Sequence, residues 1–220
     1  INQLKKKGYD VVSIGWFSAH WLNDWHEWKV YRTFNNYYGA DIFDQIVYSE
    51  RPDVVLTIGD SWMVSYIADP NRCKSRPFFK WVMYIPIDGE AYGGGIPLTW
   101  VSVLKDVDRI VAYTKYGCDA ILKTIPELKN RITIIPHGVD LNIYKPYTRD
   151  IVEKLRKKSG IKEGAVVFLM VSRNQFRKNI PEFCKGWKIF KNRGYEKAFF
   201  WPNMSFKDQM GWDLWEVFDI

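Results

Sequence analysis

The sequence is short of cysteine, lacks a long apolar run and carries no extended block of one charge. Its three cysteines, Cys73, Cys118 and Cys184, are far apart and odd in number. No CxxC and no metal-type spacing joins them, so a disulfide framework is excluded and a reduced, cytoplasmic interior is expected. No stretch approaches the ~18 apolar residues of a membrane-spanning helix. The opening INQLKKKGYD is not a signal peptide. Position 1 is not Met and the chain stops at WEVFDI, so the sequence reads as a piece lacking both ends of a longer protein. Histidine is scarce too. His20 and His26, near Asp24 and Glu27, have no third ligand at ordered spacing, which favours a structural role over a metal site.

What is abundant is aromatic. Eleven Trp and 47% hydrophobic residues require a packed, globular chain and exclude disorder. A net charge of +7 points to an acidic partner: a nucleotide, a nucleic acid or an anionic membrane face. The basic residues are scattered as KKK, RKK and RK pieces, which disfavours a nucleic-acid stripe. The clusters at residues 5–7 and 156–158 read as solvated helix faces, with peripheral contact to anionic lipid as the functional alternative.

Hydrophobic patterning predicts strands at residues 10–15, 54–58, 78–85, 109–113 and 132–135, with helices between most of them. That rhythm is a parallel, doubly wound α/β sheet. Gly8, after three lysines, fits the end of a helix. Thr114 is placed to cap the helix that follows the fourth of these strands, and Asp60 to cap the helix after residue 58. Residues 141–147, with Pro146 and no periodicity, form a linker. A second α/β unit follows, with a charged helix at 151–158, a strand at 166–171, a helix at 180–191 and a strand at 197–201. The expected division is residues 1–147, a Rossmann-like unit whose first strand would precede Ile1, and residues 148–220, the opening of a second.

The segment 166–180, VVFLMVSRNQFRKNI, is where chemistry is most legible. A continuous apolar run predicts a strand buried on both faces. It ends in Arg173, Arg177 and Lys178. Ligands of open α/β sheets bind at strand carboxyl ends. A guanidinium fork with an ammonium beside it suits a diphosphate. Read from charge alone, a solvated basic loop fits equally well. In the first unit, Asp88 and Glu90 follow a strand and could contact a sugar hydroxyl or serve only the turn. The three glycines at 93–95 would allow close backbone approach to a ligand or form a mobile connection. Their spacing is not that of a P-loop.

The wording of two segments goes further. IIPHGVDLNIYKP at 134–146 and VVFLMVSRNQFRKNIPEFCKGW at 166–187 together resemble the retaining glycosyltransferases of the GT-B fold, glycosyltransferase group 1 (family four). YIPIDGE, IVAYTKYG and MGWDLWEVF look like segments of the same family. The resemblance implies a GT-B-like α/β fold of two Rossmann-like domains. It implies sugar transfer, with retention, from a nucleotide-diphosphate sugar to a glycan or lipid-linked acceptor, without a metal or other cofactor. Arg173 and Lys178 match the family's pair on the donor diphosphate. Asp88 falls near the place of a catalytic His and departs from it. His137, Gly138, Asn174 and Gly89 become cleft or hinge candidates. The family's downstream Glu-x₇-Glu segment lies beyond this chain, so the piece alone is expected to turn over little. The competing readings are a nucleotide-sugar-binding module without catalysis and, less favoured, a nucleic-acid binder.

Overall fold

The computed structural model describes residues 1–16, 27–195 and 197–218. His20, Asp24 and His26 lie outside the described residues. The chain divides into two units, Ile1–Val139 and Asp140–Ile220. The first runs α1 (Asn2–Lys6), β1 (Val12–Gly15), β2 (Lys29–Arg32), α2 (Phe43–Glu50), β3 (Val54–Ile58), a 3-10 segment Ser61–Ala68, β4 (Lys80–Ile85), α3 (Val101–Asp106), β5 (Arg109–Ala112), α4 (Lys115–Thr124) and β6 (Ile132–Ile134). The second runs α5 (Arg149–Lys158), β7 (Val166–Val171), α6 (Ile180–Asn192), β8 (Ala198–Asn203) and α7 (Leu214–Phe218). Every strand pair is parallel, so the fold is α/β with Rossmann-like units.

The first unit holds two sheets, β1-β2 and β3-β4-β5-β6. β2 is an unexpected strand. Its KVYR is too short for alternation to show against the aromatic residues around it. In the larger sheet, alternate residues of β4 and β5 are buried: Trp81, Met83 and Ile85, then Ile110 and Ala112. Trp81, Met83, Ile85 and Ile110 share one core with Val64 and Ile67 of the 3-10 segment, Val103 and Leu104 of α3, and Ala120 and Ile121 of α4. The alternate set on β3, Val54, Leu56 and Ile58, is exposed. The strand order advances in one direction, and right-handed crossovers then place every connection on the same side.

The amino-terminal rim of this sheet is tied down by charge. The Asp108 carboxylate, just before β5, accepts from the Trp81 amide (2.9 Å), Arg76 Nη2 (3.0 Å) and Lys80 Nζ (3.1 Å). Arg76 Nε also donates to Asp106 at 2.6 Å. The buried Trp81 indole donates to Thr57 Oγ1 at 2.9 Å, joining β4 to β3. Asp44 of α2 accepts from the Ser75 hydroxyl (2.6 Å) and the Lys74 and Ser75 amides (2.9 and 3.0 Å), which fixes the turn that enters β4.

The second unit is a two-stranded sheet under α6. Phe168 meets Trp187 and Phe190 at ring-centroid distances of 5.4 and 5.5 Å, and Phe183 meets Phe200 at 4.7 Å. The strand at 166–171 was expected to be buried on both faces, and it is not. Val166, Leu169 and Val171 are more than 60% exposed. β7 pairs only with β8 among the described residues, and α6 stacks its aromatic rings on one side. A continuous apolar run reports potential for two-sided burial; here α6 packs rings against one side and leaves even Phe168 40% exposed.

Candidate functional site

Because β3 to β6 are parallel, their carboxyl ends share one rim. Asp60 follows β3, residues 86–90 follow β4, Tyr113 follows β5, and Ile135 and His137 follow β6. Asp60, Pro86, Asp88, Gly89, Glu90, Ala91, Pro97 and Trp100 line a cavity of about 200 Å³ at this rim. Asp60 does not cap the segment after it. Its carboxylate instead accepts from the Trp62 indole at 3.1 Å, and the backbone enters a 3-10 segment. Asp88 is exposed and forms no ion pair among the described residues. Glu90 lies 4.0 Å from Lys123 Nζ. Carboxylates only accept hydrogen bonds when ionised, so this cavity suits a ligand rich in hydroxyl donors.

The neighbouring glycines serve the fold. Gly93, Gly94 and Gly95 all have positive φ, and a Cβ on Gly94 or Gly95 would fall on Lys123 Nζ or Thr124 Oγ1, at 1.9 and 2.2 Å. The loop is packed on the end of α4, and Ile96 N donates to Thr124 Oγ1 at 2.9 Å. Close approach is real here, but the neighbour is protein. Gly89 and Gly138 have open space where a Cβ would be and do not have positive φ, so the fold does not demand glycine at either.

His137 is exposed and sits among rings. Its centroid is 4.1 Å from that of Tyr113 and 5.3 Å from that of Tyr84, and the two tyrosines are 4.2 Å apart. Tyr84 Oη donates to the Ile135 carbonyl at 2.9 Å and lies 3.3 Å from His137 Nδ1. Burial pushes the Tyr113 phenol up from its ordinary value, and the neighbouring Tyr84 and Asp60 push it further. Thr114 caps α4 as expected, accepting from Gly117 N at 3.1 Å.

In the second unit the basic loop follows β7. Arg173 reaches Asp208 side-on, with Nε at 3.0 Å from Oδ2 and Nη2 at 3.3 Å from Oδ1. The Arg173 guanidinium holds the Asp208 carboxyl below the usual carboxylate range. Asn174 is fully buried. Its Nδ2 donates to the Trp212 carbonyl at 2.6 Å and its Oδ1 accepts from the Trp212 amide at 3.0 Å. Phe176 N donates to Met210 O at 3.1 Å, and the Phe176 and Trp212 rings meet at 5.1 Å. Asn174, a cleft candidate by sequence, is thus a clamp between two loops. Lys178 ends the short 3-10 turn Phe176–Lys178, is exposed and forms no ion pair among the described residues. Asn179 then turns through φ 46° into the first turn of the 13-residue α6. Pro181 has no amide hydrogen, Glu182 N donates to the Asn179 carbonyl at 3.2 Å and the Glu182 carboxylate stands in the first turn, so any pull on an anion here comes from the cations of the loop.

Asp208, Gly211 and Trp212 were not legible as site residues. A Cβ on Gly211 would lie 2.4 Å from the Asn174 carbonyl, which identifies why glycine stands in that Met-Gly-Trp stretch. Among the described residues no group of three or more His, Cys, Asp or Glu is placed to hold a metal ion. No described helix is long and apolar enough to cross a membrane.

No family model matches this sequence, and no curated protein matches it. Among solved structures, the apo structure of OtsA is similar. OtsA is a GT-B glycosyltransferase, and the two superpose with a TM-score of 0.54 at 11% sequence identity. The match covers 82% of this chain and 45% of that one, so the chain spans less than half the length of its neighbour. Likeness at this identity is likeness of fold. It places these parallel α/β units with Rossmann-like GT-B architecture.

Proposed function

We propose that this chain is part of a glycosyltransferase of the GT-B kind. It transfers a sugar, with retention, from a nucleotide-diphosphate sugar to a glycan or lipid-linked acceptor. The observation that carries this reading is the cationic loop at the carboxyl end of β7. Asp208 occupies the Nε–Nη2 side of Arg173, which leaves Nη1 free to meet a phosphate oxygen. Lys178 supplies a second, compact charge. As the sugar–phosphate bond breaks, negative charge builds on the diphosphate, and fixed cations stabilise it without reorganising. Arg173 and Lys178 do this work without a metal ion. Asp88 is assigned to the acceptor or reacting sugar at the first unit's cavity, and peripheral membrane contact to the basic faces at residues 5–7 and 156–158.

Calorimetry with UDP, GDP and ADP tests the reading. One of the three is expected to bind, with or without EDTA. Arg173→Ala and Lys178→Ala should each weaken it about tenfold, in line with ~1.5 kcal/mol for a hydrogen bond to a charged group. Unchanged affinity in both variants would refute the assignment. Binding in a longer chain with no turnover would favour the nucleotide-sugar-binding module instead.

A further inference from the structure

The Tyr84 hydroxyl carries one proton. Ile135 O, at 2.9 Å, has none to give, so that proton lies on the bond to the carbonyl. The phenol oxygen then offers only lone pairs to His137 Nδ1 at 3.3 Å. Nδ1 must carry the proton on a neutral imidazole, which leaves the lone pair on Nε2. Nε2 has no partner among the described residues, and the His137 side chain is exposed. The fold therefore presents a hydrogen-bond acceptor beside two phenol rings on the carboxyl rim of a parallel sheet.

We infer that His137 Nε2 accepts a hydrogen bond from a hydroxyl of a neutral glycan resting against Tyr113, with Tyr84 as the positioning residue. This identifies the acceptor side of the reaction proposed above and rests on that reading. Two features select a neutral glycan over a nucleotide. The three rings meet at interplanar angles of 53° to 71°, so no parallel pair of faces is available to sandwich a flat base. The Asp60 carboxylate, close enough to act on the Tyr113 phenol, opposes a phosphate. Sugars offer what remains: CH faces for an aromatic ring and hydroxyl donors for a nitrogen lone pair. Asp60 also lines the 200 Å³ cavity, so the ring cluster and the cavity share a neighbour on this rim.

The test is ¹⁵N NMR of the histidine side chains in the whole chain, with His137 assigned by its loss in His137→Ala. Neutral His137 is expected as the Nδ1–H form. Tyr84→Phe, which keeps the ring and removes the oxygen, should shift it toward Nε2–H. Maltotriose, mannotriose and galactotriose are then titrated against UMP. At least one trisaccharide should move the Nε2 resonance, with affinity falling fivefold or more in Tyr84→Phe, and UMP should leave it unmoved. An Nε2–H form in the unaltered protein, or an Nε2 that answers UMP alone or no probe at all, overturns the inference. Retained nucleotide-diphosphate binding with no trisaccharide response would sink this inference and leave the proposed function standing. The reverse pattern would sink the transferase reading.

Discussion

Single residues show how the molecule spends its charges. Asp108 is hemmed in by donors at the amino-terminal rim. Burial works against its charge, and the Trp81 amide with Lys80 and Arg76 outweighs it, so the carboxyl sits below its ordinary range. Asp44 is held down in the same way by Ser75 and Lys74 against its own burial. A carboxyl depressed in the folded state binds its proton later than the unfolded chain does. Its stabilisation is therefore present above the ordinary carboxylate range and is lost as pH falls through the folded value. Unfolding in urea should show a plateau above about pH 5 and a decline below about pH 4. Asp108→Asn should cost about 1–3 kcal/mol at pH 7, and the gap to the unaltered protein should narrow as pH falls below the ordinary carboxylate range. A gap that stays constant with pH would remove Asp108 from this account. At the opposite rim of that sheet, Asp88 has no cation beside it among the described residues; in the second unit, Arg173 has an anion beside it. Sequence spacing foretold neither arrangement. Both partners of Arg173 and Asp208 were visible as residues, but the pair forms across 35 residues of chain. His137 stood out by its wording, while Tyr84, which orients it from 53 residues away, lay unremarked inside an apolar strand.

Elements were more legible than sites, and the reason is periodicity. KWVMYI and RIVA alternate or run apolar over enough residues to declare strands, and Thr114 declared the start of α4 through its capping hydroxyl. β2 is as short as β5, but its KVYR is charged at both ends and lies in an aromatic, irregular stretch, so no apolar run marks it. The division of strands into sheets depends on pairing order, which no local window contains. The loop at residues 208–212 was equally hidden, although it shapes the basic loop after β7. Gly211→Ala tests that element as a unit. The added methyl would overlap the Asn174 carbonyl, so the two loops must part, at a cost of about 1–3 kcal/mol. Nucleotide-diphosphate affinity should fall with the stability of the second unit, although Gly211 itself touches no ligand. Full affinity in a destabilised Gly211→Ala protein would separate the loop from the site.

The whole molecule is two units of unequal solidity. The first encloses a continuous core that includes Trp81, Leu104, Ile110, Ile121 and Leu128, all with no exposed surface. Of the second, only Ala165, Ile180 and Leu214 count among the described buried hydrophobic residues. Stability follows buried apolar area, so denaturation should be two-stepped, the second unit opening first. Hydrogen exchange across a urea series should show β7, α6 and β8 losing protection before β3 to β6; a single concerted loss would contradict it. The two units also differ in sign at their strand ends. Acidic groups line the first unit's cavity, and cations gather at the end of β7, within a chain whose net charge is +7. Asp208 belongs to the second rim and gives it a further property. It is a tethered counter-ion, 14% exposed and seated on an arginine that remains 63% exposed. A chloride ion gains too little to displace a carboxylate held by two hydrogen bonds, whereas a multiply charged diphosphate arriving at the open side of the guanidinium need not displace it at all. The loop thereby stays selective in salt that would saturate a bare cationic surface.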